Sequence, residues 1–336
     1  MNSVFAAGHH RVVAMTVLTA VLGLTLATQA RGTTVEDPAA LLRDARNRIA
    51  TTSFLGTVVV EWRDGEGVQR NEVAVRSANG TIEVLSDRSF VRTVDGGLRH
   101  DDSGWVELGS TELLDVVPTP SAKYDLALQT GPVIAGRTTT AIDAVLRDGG
   151  GLVERVFIDR ETGIMLRRER FDADGSTVLR SVSFVELSIG EVALDVPDFE
   201  VSSARPTRRL EGIYRDPDHA GDGFVLVGRS LHSDGTAQLL YGDGLLTVSV
   251  FEEPGVLDWS ALPTDGVATR VDGVPARRFE LTVGLAYVWE RGGVVYTAVS
   301  DAPEGQILGV AEAVSAERVD GRVAQLARTM LAPFEL

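Results

Sequence analysis

The sequence predicts an α+β protein made of two antiparallel-sheet domains, and three features predict it. The run Arg155–Leu187, RVFIDRETGIMLRRERFDADGSTVLRSVSFVEL, alternates short apolar segments with polar turns ending in Gly, the pattern of consecutive hairpins. Upstream, β-rich segments are separated by Asp64-Gly65, Asn79-Gly80 and Asp95-Gly96-Gly97, which is turn chemistry. Finally, Asp195 to Glu211 carries Pro197, Pro206 and the trio Arg205, Arg208 and Arg209, and divides two strand-rich regions as a linker.

Each element follows from local pattern. Asp37 suits a helix cap and Pro38 the first helical turn. Leu41, Leu42, Ala45 and Ile49 then recur at helical spacing, which predicts a helix to about Ala50. Strands are expected at Phe54–Trp62, Val68–Arg76, Thr81–Ser86, Phe90–Val94, Gly97–Asp101 and Trp105–Leu108. A helical interlude is expected next, Leu113–Val116 and Ala122–Gln129, separated by Pro118 and Pro120. Strands resume at Ile134 and continue through Thr138–Leu146, Val153–Ile158, Ile164–Phe171 and Val178–Leu187.

The second region starts near Gly212. Phe224–Ser230, Thr236–Gly242, Leu245–Glu252, Gly266–Val271, Val274–Val283, Leu285–Arg291 and Val294–Val299 read as strands. Gly273 and Gly292-Gly293 supply hairpin turns, and Pro303–Ser315 and Val323–Leu331 read as helices. The expected organisation is residues 1–30 a signal peptide, 36–200 a first domain, 201–211 a linker and 212–336 a second domain.

The address is extracytoplasmic. His9, His10 and Arg11 precede an apolar run from Val12 to Ala27, and Thr28 and Ala30 occupy the small-residue positions for cleavage after Ala30. An uncleaved N-terminal anchor is the alternative, although the run is short for a span of about 20 apolar residues. The 336-residue chain has no Cys, so disulfides, thiol catalysis and thiolate metal sites are excluded. Its net charge of −16 disfavours nucleic acid and simple adhesion to anionic lipid. Of 32 basic residues only Lys123 is a lysine, a usage that fits a GC-rich genome.

Catalytic patterns are missing. His100, His219 and His232 stand far apart, no H-E-x-x-H or G-x-S-x-G occurs, and there is no Walker loop or dinucleotide fingerprint. Asp172-x-Asp174-Gly175 lacks the middle ligand and the correctly placed terminal Glu of a calcium loop, and reads as a hairpin turn. Asp101-Asp102 and Glu252-Glu253 are sequence neighbours, which point to opposite faces of a strand and so do not form an acid/base pair. The expectation is a binder without enzymatic activity, cofactor or metal.

Three segments resemble one family. SFLGTVVVEW (Ser53–Trp62), IDRETGIMLRRERFDADG (Ile158–Gly175) and LLYGDGLLTVSVFEEPG (Leu239–Gly255) are similar, in order, to the opening strand, hairpin signature and second-domain signature of the MucB/RseB sigma-factor regulators. Where that family usually has Ser-Asp-Gly, this chain has Gly242-Asp243-Gly244. The N-terminal half also resembles LolA/LolB-like lipoprotein carriers.

The resemblance implies an open, curved antiparallel sheet, a LolA-like half-barrel with helices on its concave side. It implies a smaller antiparallel-sheet C-terminal domain with terminal helices. It further implies a periplasmic role in the envelope stress response. There the protein binds the extracytoplasmic segment of a membrane-spanning anti-sigma factor, with a lipid-like signal as the relieving ligand. The competing expectation is a lipid or lipoprotein carrier or sensor with no such partner. Phe54, Val58, Val60, Val73, Val75, Val84 and Trp105 are the candidate lining of an apolar groove. Arg205, Arg208, Arg209, Tyr241 and Phe251 are the candidate partner contacts. The sequence is compatible with a homo-oligomer.

Overall fold

The computed structural model describes residues 37–78, 80–85, 90–92, 97–101, 104–109, 112–113, 120, 123–147, 149–194, 210, 214–232, 235–281 and 284–316. The signal segment, Arg205, Arg208, Arg209 and the expected helix Val323–Leu331 lie outside these residues. Among the described residues no helix is long and apolar enough to cross a membrane.

The chain opens on α1 (Pro38–Thr51). The Asp37 side chain accepts a hydrogen bond from Ala39 N at 3.1 Å, as the sequence leads one to expect of a cap. Among the described residues, eleven strands then form the first sheet. In chain order these are β1 (Phe54–Asp64), β2 (Gly67–Ala78), β3 (Thr81–Leu85), β4 (Phe90–Arg92), β5 (Gly97–Asp101) and β6 (Gly104–Gly109), then β8 (Tyr124–Ile134), β9 (Arg137–Leu146), β10 (Leu152–Asp159), β11 (Met165–Phe171) and β12 (Val178–Ile189). Their spatial order is β6-β5-β4-β3-β2-β1-β12-β11-β10-β9-β8, so two meanders join where β12 pairs antiparallel with β1. The sheet curls until β8 packs back near β12, and α1 lies against β2, β8 and β11.

A second antiparallel sheet runs β13 (His219–Ala220), β14 (Phe224–Leu231), β15 (Ala237–Gly242), β16 (Thr247–Pro254), β20 (Val294–Ser300), β19 (Gly284–Arg291), β18 (Val274–Leu281), β17 (Val267–Val271). The helix α2 (Glu304–Ser315) follows and buries Ile307, Val310, Ala311 and Val314 at the spacing of one helical stripe. The molecule is α+β, with an open, curled antiparallel first sheet. The hairpin turns are those the sequence marks: Asp272-Gly273 and Gly292-Gly293 both have positive φ, as a two-residue turn of matching twist requires.

The interlude differs from expectation. Of the expected helix Ala122–Gln129, the described part from Tyr124 on is a strand: β8 begins at Tyr124 and pairs with β9. Its Ala, Leu and Gln favour a helix, but burial alternates every second residue, with Tyr124, Leu126 and Leu128 inward and Asp125, Ala127 and Gln129 more exposed. Packing and pairing therefore override propensity. Glu112–Leu113 is likewise a short strand, β7, and pairs with Gly228 and Arg229 of β14. Residues 114–116 lie outside the described set.

The apolar core joins the two sheets. One buried cluster includes Leu42 and Ala45 of α1, Tyr124, Ile142 and Val156 of the first sheet, and Phe224, Leu246 and Trp289 of the second. Another places Ile49 of α1 with Phe54, Val58, Val60, Leu166 and Phe184. Because Leu42, Ala45 and Ile49 lie along one stripe, α1 is a wedge serving both clusters.

α2 seats by close backbone contact. A Cβ at Gly221 would lie 2.9 Å from Gly309 C, and Gly221 has φ +53°, whereas a Cβ at Gly309 meets Gly221 Cα at an ordinary 3.5 Å. Gly221→Ala is expected to cost about 2 kcal/mol in urea unfolding, while Gly309→Ala is expected to be neutral or stabilising by up to about 1 kcal/mol through helix propensity.

Candidate functional site

Two of the three family-like segments, Ile158–Gly175 and Leu239–Gly255, each send charged side chains to the seam between the sheets. In the turn after β15, Asp243 folds its carboxylate back on the chain: Oδ1 accepts from Leu245 N at 3.0 Å and Leu246 N at 2.8 Å. Oδ2 faces the first sheet, where it accepts from Tyr124 OH at 2.6 Å and Lys123 Nζ at 2.9 Å. The same ammonium lies 4.7 Å from the Phe224 ring centroid, a cation–π contact. Burial, then the Asp243 charge, push the Tyr124 hydroxyl far above its ordinary pKa, so it stays a donor. From α1, Arg46 reaches the same turn and donates to Gly244 O at 2.8 Å and Leu245 O at 3.0 Å.

At the other end of the seam, β11 supplies Arg168 and Arg170. Arg168 Nε donates to Glu154 Oε2 at 3.0 Å and NH1 to Asp301 Oδ2 at 2.8 Å. Arg170 NH1 pairs with Glu154 Oε2 at 2.7 Å, and its NH2 lies 3.4 Å from Asp301 Oδ1. Glu154 belongs to β10 beside them, while Asp301 follows β20 in the second sheet. Burial alone raises the Asp301 carboxyl, but Arg168, Arg170 and Arg180 outweigh it and hold the group below its usual value. Arg180 on β12 crosses as well, donating to Leu281 O at 2.9 Å.

The hairpin motif also builds its own turn. Asp159 accepts from Thr162 Oγ1 at 2.5 Å, Thr162 N at 3.2 Å and Arg137 Nε at 2.7 Å, and Gly163 takes φ +75°. These bonds outweigh burial and keep the Asp159 carboxyl below its ordinary pKa. The turn therefore fixes the strand that aims Arg168 and Arg170 across the seam.

Residues 71–207 match the family model described as the MucB/RseB N-terminal domain. No curated protein matches the sequence. Among solved structures, the chain is similar to the MucA/MucB complex of Pseudomonas aeruginosa, with 20% identity over 82% of this chain and 97% of that one, TM-score 0.48. It is similar to MucB alone, with 22% identity over 81% and 95%, TM-score 0.46. A LolA superfamily protein from Nitrosomonas europaea is more distant, with 8% identity over 47% and 96%, TM-score 0.23.

The first sheet places the candidate groove residues in its core. Phe54, Val58, Val60, Val75 and Val84 are buried with Ile49 of α1, and Val73 packs partly buried against them. The helix thus fills the space these side chains face. For Trp105 only the backbone, in β6, is described. Tyr241 is fully buried and donates to Pro217 O at 3.0 Å, and Phe251 packs with Leu257 and Phe279. Both serve packing here, because their side chains lie inside the second sheet's two cores. Arg46, Tyr124, Arg168, Arg170, Arg180 and Asp301 were not singled out by residue; the Arg-Arg-x-Arg run in the hairpin motif and the solitary Lys123 were the available signals.

Glu252, also within the second-domain motif, is a separate buried device. It is 0% exposed, and its Oε2 accepts from Arg215 N at 2.9 Å, which anchors the chain as it enters the second sheet. Its Oε1 has no hydrogen-bond partner. Burial, opposed by the Arg215 bond, raises its pKa from 4.5 to about 8.

Two outcomes follow. Asp243→Ala strands Lys123, the Tyr124 hydroxyl and two backbone N–H groups, and should lower unfolding free energy by about 3–5 kcal/mol in denaturant titration. For Glu252, the folded state keeps its proton to about pH 8 while the unfolded carboxyl releases it near 4.5, so the folded state binds more protons across that window and stability falls as pH rises. Glu252→Gln should flatten this slope in unfolding measured from pH 4.5 to 8; an unchanged slope would assign it elsewhere.

Proposed function

We propose that this protein is an exported, non-enzymatic negative regulator of an extracytoplasmic-function sigma factor. It acts by binding the extracytoplasmic segment of a membrane-spanning anti-sigma factor and shielding it from proteolysis. The observation that carries the reading is the match of residues 71–207 to the MucB/RseB N-terminal domain, on a chain whose second sheet bears the other family-like motif. We divide it as residues 36–200, a linker 201–211, and 212–336, behind a signal segment 1–30.

Geometry supports a role for the relative placement of the two sheets. Both motifs spend their charged residues on the seam, Asp243 on Lys123 and Tyr124, Arg168 and Arg170 on Asp301. A partner or lipid-like ligand that prefers one arrangement of the sheets shifts the balance between arrangements by its differential affinity. The linker arginines 205, 208 and 209 are proposed as additional partner contacts, through carboxylates or phosphates.

The test is capture from gently solubilised envelopes of the native host, using tagged residues 31–336, with mass spectrometry of proteins and lipids. Recovery of a single-pass membrane protein bearing a cytoplasmic sigma-binding domain is the expected result. Lipid or lipoprotein alone, across repeats, would replace the regulator with a carrier.

A further inference from the structure

The arginines of the seam outnumber the acids that meet them. In the β11–β12 pairing Arg170 stands directly opposite Arg180, and Arg168 opposite Val182 two residues along, so all three guanidinium groups share one face. Like charges directly opposite on neighbouring strands are destabilising. Two carboxylates, Glu154 and Asp301, contact Arg168 and Arg170, whereas Arg180 meets the backbone carbonyl of Leu281. The Nε atoms of Arg170 and Arg180 are buried without a hydrogen-bond partner, and Arg170 is only 3% exposed. A buried donor left unmade carries its full desolvation cost. Glu280 lies near enough to favour the Arg180 charge but is ion-paired with Arg278, so two carboxylates are left for three guanidinium groups.

The two acids are not equivalent. Glu154 sits on β10, next to the arginines in the same sheet, and stays with them whatever the second sheet does. Asp301 arrives from the turn between β20 and α2, and leaves whenever the sheets part. A closed seam therefore presents the arginines with one permanent and one removable carboxylate.

We propose that the face carrying Arg168, Arg170 and Arg180 is a recognition surface for an acidic peptide segment, with Asp301 occupying it as a built-in stand-in for that segment's carboxylate. Guanidinium groups bind a carboxylate in a directed, charge-assisted geometry, and the one Asp301 uses is available to an Asp or Glu side chain of another protein. The surplus charge and the two unmade Nε donors give an incoming acidic segment more to gain than Asp301 alone supplies. Asp301 thereby sets the threshold: only a segment with several carboxylates displaces it. This deepens the proposed function, and rests on it, by naming the chemistry of the captured segment.

The test uses the intact chain and a fluorescent oligoglutamate peptide, followed by anisotropy at low and at physiological salt. Asp301→Asn should bind about tenfold more tightly than the parent, and adding Arg168→Gln and Arg170→Gln should abolish that gain. An oligolysine of the same length should not bind. Circular dichroism checks each variant's fold. Should Asp301→Asn not fold, Arg180→Gln in the parent carries the test and should weaken oligoglutamate binding several-fold. Equal binding by parent and Asp301→Asn, or binding that survives loss of both arginines, would overturn the proposal. So would binding of Asp301→Asn to phosphatidylglycerol vesicles but not to the peptide, which would assign the surface to phosphate. Envelope capture reads the anti-sigma-factor partner separately: failure there with oligoglutamate binding intact rejects the regulator but keeps the acidic-segment surface.

Discussion

The structure turns on one carboxylate. Asp243 closes its own turn through two backbone N–H groups and at the same time holds Lys123 and Tyr124 of the other sheet. A buried carboxylate is tolerated only when its charge and lone pairs are met, and here four donors meet it. Local and long-range order are thus coupled: the turn is shaped as the sheets dock, and Arg46 of α1 then reads the carbonyls that this turn presents. The apolar cluster beneath, from Leu42 to Leu246, supplies the burial, and the carboxylate supplies the register.

The seam's two ends differ in kind. At Asp243 four donors meet the carboxylate. At Asp301 two carboxylates are left for three guanidinium groups, and two guanidinium Nε atoms remain unmade. Ionic contacts with removable members suit a contact that opens, because removal of one partner leaves a definite, specific vacancy of charge and not a featureless apolar face. The match of residues 71–207 to the MucB/RseB N-terminal domain and the concentration of charge at the seam support the binding role proposed above.

Most strands and both described helices were legible because turn chemistry is local. Asp37-Pro38, Gly80, Gly273 and Gly292-Gly293 dictate backbone conformations without help from distant residues. The segment Ala122–Gln129 reads as a helix because its composition favours one, and only pairing of Tyr124–Ile134 with β9 reveals the two-residue period. The groove residues were correctly apolar, but nothing in Phe54 or Val58 announces that Ile49 will cover them. Likewise, Arg168 and Asp301 are 133 positions apart, and no local pattern joins them.

The short pairing of β7 with β14 has its own consequence. The chain leaves the first sheet after β6, lends two residues to the border of the second sheet, and returns to the first as β8. The halves are laced together as well as linked end to end. Severing the protein at residues 201–211 would strip Gly228 and Arg229 of their neighbour and leave a naked strand border, the kind of edge on which chains stack. The second half, released alone, is then more prone to self-association than the whole, and the lacing acts as a guard against it.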